Sequence, residues 1–448
     1  MIPVVAPEEM RAIDAASPLG LDALIERAGA AVARVALEEL GGAYGRRVVV
    51  VCGKGNNGAD GRVAARRLRA RGARVVELHA EAAAGAELPP CDLVIDAAYG
   101  TGFRGTYDAP DPGGAPVLAV DVPSGNEVHA DVTVTFAALK PSLVFDDGRA
   151  GAVLVEDLGL DVSSARMWVV EPPDVLGRLP RRRRDAHKYA AAVAVVAGSP
   201  GMTGAAALTS QAVLRAGSGY CRLAVPGADV EAIAPSEVVA VPLPAQGWAD
   251  DAVAATEKMK ALAIGPGLGR DEPTQDDVRR VVADGPVPVV VDADGLFALG
   301  SADEAAEVLV RRASAADVVL TPHEGEFTRL AGAPAPDGVD RIDAVRALSA
   351  RLGAVVLLKG PVTVVADPGG EVRFSRTGTP ALATAGTGDV LTGIIASFLA
   401  QGLSPLDAAA LGACAHGAAA RSGHRVGLVA SDLLELLPAF LSGTGGVR

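Results

Sequence analysis

One carboxylate, Asp389, directly follows a Gly-Thr-Gly turn and opens an apolar, helix-patterned run in LATAGTGDVLTG, residues 382–393. A helix N-terminus offers unpaired N–H groups and the positive end of the dipole, and Gly386 and Gly388 let an anion approach the backbone. An acid in such an anion site makes sense as a base on a hydroxyl lying beside a bound phosphoryl group. The plainer reading is capping, because Asp and Thr are common at helix starts. Further polar groups end apolar runs in the same half: the glycines of IGPGLG (264–269), Asp292 and Asp294 in VVDADGL, His323 and Glu326 in LTPHEGE, and Lys359 in LLKGPVT. Lysine and a glycine turn supply positive potential for phosphate, while Glu326 and nearby carboxylates could hold Mg²⁺ directly or through water. Taken singly, His323 reads as a cap and Lys359 as a snorkelling lysine. Convergence on one sheet edge is what gives them weight.

The first half has its own set. GKGNNG, residues 53–58, matches GxGxxG between a strand and a helix, and Glu77 ends the next strand. A dinucleotide fingerprint would read this way. Asn56 and Asn57 fill the turn, however, and Asp60 would oppose a bare pyrophosphate there. Two amides and a carboxylate suit a cation and polar ligand edges better. Asp96 in IDAAYGTGFRG and Asp121 with Ser124 in VDVPSG add oxygen donors of the kind hard cations take. Each alone reads more simply as a turn or cap residue.

These residues need elements to position them. Short Val-rich runs (RRVVVVCG, ARVVELH, CDLVIDAAYG, PVLAVDVPSG, ADVTVTF, GAVLVEDLGL) alternate with helical patterns, the first helix over about 60–71. Such runs read as buried parallel strands joined by helices. The stretch from Met167 to Tyr189 has paired prolines, four consecutive arginines and little periodicity, which places a linker over 166–185. The arginine run reads as a solvated segment, with phosphate contact as the alternative. A second alternating series follows (AAAVAVVAG, YCRLAVP, ALAIGPG, PVPVVVDAD, ADVVLTPHEGE, AVVLLKGP, VTVVADP), with helices expected over 384–401, 405–422 and 430–441. Ligands of such sheets bind beyond the carboxyl ends of the strands.

The 448 residues suffice for two or three domains at roughly 100–200 residues each. Only 3% are aromatic, so the cores must be built of Ala, Val and Leu. With 41 basic and 54 acidic residues the formal charge is −13, which argues against non-specific nucleic-acid binding. The four cysteines lie far apart without CxxC spacing, suggesting neither zinc nor a disulfide framework. No stretch reaches the ~18 apolar residues of a membrane span, and the first residues lack a signal-peptide pattern. A soluble, cytoplasmic protein is expected.

In combination the motifs are specific. GKGNNGADG, DAAYGTGFRG and DVPSG, in this order, resemble the epimerase domain of the NAD(P)H-hydrate repair enzymes over residues 1–165. The resemblance implies that Asn56, Asn57, Gly58, Ala59 and Asp60, with Gly100, Thr101, Gly102, Phe103, Arg104, Gly105 and Thr106, hold the hydrated dinucleotide. It makes Asp121 a further substrate contact and a candidate proton carrier, and places K⁺ at Asn57, Asp96 and Ser124. Ala59 stands where the family has glycine, and the segment after DVPSG is short. GSPGMTGAAAL, IGPGLG, PHEGEF, KGPVT and AGTGDVLTG resemble the ribokinase-like superfamily, most closely its ADP-dependent NAD(P)H-hydrate dehydratase branch, over residues 186–442. This second resemblance implies substrate contacts at Ala205, Gly267, His323 and Asp389, with Asp389 as the catalytic base. Adenine-nucleotide contacts would fall at Lys359, Gly360, Pro361, Val362, Thr363 and Gly388.

The whole chain therefore resembles a bifunctional repair enzyme of two α/β domains, a Rossmann-like three-layer α/β/α domain and a ribokinase-like one. Its implied small molecules are the R and S hydrates NADHX and NADPHX, with ADP as co-substrate, K⁺ in the first domain and Mg²⁺ in the second. A homo-oligomer without nucleic-acid or membrane partners is expected. The rival is a ribokinase-like small-alcohol kinase carrying a non-catalytic dinucleotide-binding module.

Overall fold

The computed structural model describes residues 1–443 apart from 126, 313, 315 and 316. The chain divides into two compact units, residues 2–166, and Met1 with the residues from 167 onward.

In the first unit a parallel sheet runs in the order Arg74–His79, Arg47–Cys52, Leu93–Ala97, Val117–Val120, Val132–Phe136, Ala152–Glu156. Four consecutive valines at 48–51 are tolerated because this strand is covered on both faces. Val48 and Val50 turn to helices Leu21–Leu40 and Asn56–Ala70, and Val49 and Val51 turn to the opposite side. That opposite layer consists of the short helix Ala80–Ala83 and loop residues such as Leu88, Tyr107 and Val128. The helix expected from Asp60 already begins at Asn56, so the two asparagines form its first turn. The glycine fingerprint has a packing cause. A Cβ on Gly53 would lie 1.8 Å from the Ala98 carbonyl oxygen, and one on Gly58 1.9 Å from the Gly53 carbonyl oxygen.

In the second unit the strand order is Met167–Val170, Val372–Ser375, Thr363–Ala366, Val355–Leu358, Val318–Leu320, Val289–Val291, Ala261–Ile264, Ala192–Val196, Tyr220–Pro226, Val239–Leu243. Every pairing among these is parallel except those of Thr363–Ala366, which is antiparallel to both neighbours. One face packs against Thr203–Arg215, Thr387–Ala400 and Pro405–Arg421, whose alanines and isoleucines meet Val193, Val195, Ala263, Val290 and Leu357. Helix Thr387–Ala400 is apolar almost all round and buried almost throughout, as a central core helix must be.

The linker expected over 166–185 is corrected here. Met167–Val170 pairs in register with Val372–Ser375, and helix Pro172–Arg178 buries Val175 completely. The paired prolines that read as a break occupy the first turn of that helix, where a missing N–H costs nothing. Strands Val239–Leu243 and Val372–Ser375 were not anticipated; they are four or five residues long with charged or proline neighbours. Among the described residues no helix is long and apolar enough to cross a membrane.

Candidate active sites of the two units

In the first unit the strand ends and the helix Pro7–Ala16 enclose a cavity of roughly 850 Å³. Asn56, Asn57, Asp60, Gly100, Thr101, Gly102, Phe103, Arg104 and Asp121 line it. Gly58, Ala59, Gly105 and Thr106 do not, Gly58 being spent on the turn against Gly53. A Cβ on Gly100 would meet Asp121 Oδ2 at 3.3 Å and the Asn57 amide carbon at 3.7 Å, so three separate motifs converge at one point. Tyr99 stacks on Phe103 with ring centroids 4.1 Å apart, which shapes the glycine loop.

Asp121 has φ +68°, a left-handed conformation that Asp tolerates better than most residues. Its carboxylate forms a 3.0 Å ion pair with the buried Lys140, and Thr135 Oγ1 donates to it at 3.3 Å. Lys140 also donates to Thr135 Oγ1 and to the carbonyls of Phe136 and Ala138, at 3.0, 2.9 and 3.2 Å. Sequence reading missed Lys140; its only signal is a lone lysine in the otherwise apolar run FAALKPSLV. Asp14 was missed as well, because its helix carries no motif.

Asp96 does not line this cavity but a second one, with Val94 and Tyr107; it is 4% exposed and accepts N–H bonds from Ser124 at 2.8 Å and Ala98 at 3.3 Å. Burial pushes its carboxyl upward against those bonds. No lysine or arginine pairs with it among the described residues, and the buried Asn57 Nδ2 has no partner either. Ser124 Oγ accepts from the Tyr99 N–H at 2.8 Å and donates to the Tyr99 carbonyl at 3.0 Å. A buried carboxylate without a cationic side chain, and an amide whose nitrogen lacks a partner, are oxygen-bearing groups that a cation could use.

In the second unit the centre is Asp292, 2% exposed. Lys359 Nζ lies 2.8 Å from its Oδ1, and Thr392 Oγ1 donates to its Oδ2 at 2.7 Å. Lys359 also stands 3.7 Å from Glu326. A Cβ on Gly388 would sit 3.7 Å from Asp292 Oδ2 and 3.8 Å from Lys359 Nζ, which fixes the GTGD turn over this pair. Asp389 lies in the first turn of Thr387–Ala400, behind Gly386, whose φ of +89° only glycine adopts easily and which supplies no side-chain cap. Burial, then the charge of Asp292, pushes the Asp389 carboxyl up to about 6, with Lys359 opposing. The first-turn N–H groups face a site with a lysine at its side, an arrangement that can hold a phosphoryl group.

The remaining residues take definite places. Gly267 and Ala205 adjoin, since a Cβ on the glycine would lie 3.0 Å from that of Ala205. The IGPGLG loop is held by Asp294, which accepts from the Gly269 N–H at 3.0 Å and pairs with Arg270 at 2.7 Å. His323 caps helix Glu324–Ala331, its Nδ1 accepting from Gly325 and Glu326 N–H at 3.0 and 3.3 Å, while Glu326 accepts from the His323 N–H at 2.8 Å. Glu326 is thereby engaged with His323 and Lys359. Gly360, Pro361 and Val362 form the turn between two antiparallel strands, ending at Thr363. Among the described residues no three His, Cys, Asp or Glu side chains gather as a metal cage. His416, also missed, lies buried close to the turn; burial lowers it to about 4, so its ring is neutral.

A mostly parallel sheet flanked by helices, with an uncapped helix start, a carboxylate and a lysine at the strand ends, is a ribokinase-like arrangement. A ribokinase-like superfamily protein from Enterococcus faecalis shares this fold with TM-score 0.53 at 22% identity, covering 62% of this chain and 96% of that protein. The NAD(P)H-hydrate dehydratase family profile matches residues 193–438, and the YjeF-related protein N-terminus profile matches residues 21–84. Similar relatives include the bifunctional NAD(P)H-hydrate repair enzymes Nnr of Moorella thermoacetica, 36% identical over 88% of this chain and 87% of that protein, and of Mycobacterium tuberculosis, 41% identical over 87% and 86%. The Bacillus subtilis ADP/ATP-dependent NAD(P)H-hydrate dehydratase, co-crystallised with ATP and Mg²⁺, superposes with TM-score 0.50 at 30% identity, covering 61% of this chain and 97% of that one. The chain belongs to the bifunctional NAD(P)H-hydrate repair enzyme family, which joins an isomerase and a lyase in one polypeptide.

Proposed function

We propose that the second unit dehydrates the S form of hydrated NADH and NADPH at the expense of ADP, and that the first unit interconverts the R and S forms. The observation that carries the first statement is Asp389, a carboxyl raised to about 6 by burial at the start of an uncapped helix. The hydrate bears a hydroxyl on C6 beside the ring nitrogen, and hydroxide leaves poorly. Asp389 takes the hydroxyl proton as the C6 oxygen attacks the terminal phosphoryl of ADP, giving a C6 phosphate ester and AMP. The ring nitrogen lone pair then expels phosphate, and loss of a C5 proton restores the dihydronicotinamide. The N–H groups after Gly386 steady the charge moving onto the phosphoryl oxygens.

The residues propose a division of labour. Ala205, Gly267, His323 and Asp389 contact the hydrate, and the turn from Gly360 to Thr363 with Gly388 contacts the nucleotide. Lys359, held between Asp292 and Glu326, supplies positive potential beside the turn. With Glu326 so engaged, Mg²⁺ has no closed protein cage and would ride on the nucleotide phosphates, where it neutralises charge. In the first unit K⁺ would be held by Asn57, Asp96 and Ser124 and would order the oxygens around it.

A fixed base in the second unit can serve only one C6 epimer, which gives the first unit its task. The deciding experiment incubates the protein with mixed hydrate epimers, Mg²⁺ and ADP and follows the absorbance of recovered dihydronicotinamide. Complete recovery supports both activities, and recovery stopping at the S fraction removes the epimerase. A stable phosphorylated product from a pyrimidine or thiazole alcohol, without recovery, would establish the small-alcohol kinase instead.

A further inference from the structure

The cavity of the first unit holds one buried carboxyl group that no described residue pairs with. Asp60 is 7% exposed, lines the cavity, and has neither a side-chain hydrogen bond nor an ion pair with any described residue. An unpartnered buried carboxyl is costly to keep, so a position like this one calls for a ligand. Charges of both signs surround it, Glu8 among the acids lining the cavity. Asp121 faces it from the turn after Val117–Val120 and Asp14 from helix Pro7–Ala16, while Arg62, on its own helix, opposes them and donates to the Gly53 carbonyl at 3.1 Å. Arg11, Lys54 and Arg104 also line the cavity, all solvent-exposed. Lys140 is matched to Asp121, 3.0 Å away.

Building on the epimerase reading of this pocket, we infer that Asp60 is the proton donor and Asp121 the proton acceptor that carry the C6 hydroxyl of the hydrate from one ring face to the other. Protonated Asp60 gives its proton to the C6 hydroxyl; the C6–O bond breaks, water leaves, and the ring nitrogen lone pair forms the N1=C6 iminium. Water adds to C6 on the opposite face and passes a proton to the Asp121 carboxylate. Oxygen and protons balance, and no oxidant or reductant is needed. The product state, Asp60 ionised and Asp121 protonated, is the starting state for the reverse inversion, and exchange of protons with solvent resets it. Asp121 is paired with Lys140 at 3.0 Å while Asp60 has no cationic partner, and unlike surroundings for two carboxyls in one cavity are the pattern that assigns acid and base. Burial, then the charge of Asp121, pushes Asp60 up to about 8, in keeping with a group that is neutral at pH 7.

The test follows conversion of pure R hydrate to S in ¹⁸O-water, with the full-length protein, over pH 6 to 10, after subtraction of spontaneous exchange. The wild type is expected to incorporate solvent oxygen at C6 with each inversion and to slow above about pH 8. Asp60→Asn is expected to lower kcat about 10²-fold with little change in KM and to lose the alkaline decline. Asp60→Glu should restore part of both. A purely structural role for Asp60 would not move the pH profile. Retention of rate or of the alkaline decline in Asp60→Asn overturns the assignment, as does wild-type inversion without oxygen incorporation. If Asp60→Asn fails to fold, the wild-type profile and label and the Asp60→Glu variant decide. A wild type that inverts nothing defeats the epimerase reading itself, a different failure.

Discussion

In the proposed mechanism Asp389 is the proton acceptor of the second site. Asp389→Asn keeps size and removes the proton acceptor, so dehydration should fall about 10²-fold or more while ADP still binds, measured by absorbance and by titration calorimetry side by side. Binding should tighten, because an amide no longer repels phosphate. A helix cap would survive this change, so near-full turnover in the variant would reduce Asp389 to a cap. In the wild type, dehydration should decline as pH falls through about 6, where Asp389 takes up its proton. Stability runs the other way. Asp60 and Asp389 hold protons in the fold that the unfolded chain has released above its ordinary carboxyl range, so stability falls as pH rises from about 4 towards 8 and 6 respectively. Asp60→Asn should flatten that fall in a melting series. Asp96 supplies a separate test. Asp96→Asn should slow epimer exchange and abolish any preference for K⁺ over Na⁺, with dehydration of the S form intact; unchanged cation dependence would remove Asp96 from the cation site.

Among elements, the start of helix Thr387–Ala400 depends on Gly386. A Cβ there would meet Leu208 Cδ1 at 2.7 Å and the Ala430 Cβ at 3.1 Å, in a backbone conformation that disfavours side chains. Gly386→Ala should cost about 1–3 kcal/mol in stability and displace the turn. Dehydration should drop sharply while epimer exchange persists; preserved dehydration would show that the turn need not be fixed. The parallel strands were legible because buried Val runs ending in Gly or Asp have few other uses. Met167–Val170 was not, because four residues before two prolines give no period to read, and its role comes from the distant strand Val372–Ser375.

At the scale of the molecule, the division falls at 166/167, not at the arginine run. Pieces covering 1–166 and 167–448 should each fold, the first exchanging epimers and the second dehydrating only S. Cutting at 181 removes a strand and the buried Val175 from the second unit and should lower its melting temperature markedly. Equal melting for second pieces beginning at 167 and at 181 would refute this boundary.

By itself the sequence determined the α/β character of both halves and the order of motifs that places the chain in its family. These follow from local period, turn chemistry and motif order. Only the tertiary structure decided that Lys140 pairs with Asp121, that Lys359 lies between Asp292 and Glu326, and that Asp60 is buried in the cavity without an ion-pair partner among the described residues. Each depends on side chains brought together from separate strand ends. Burial and the charges of spatial neighbours, which no local pattern encodes, set which carboxyl keeps its proton.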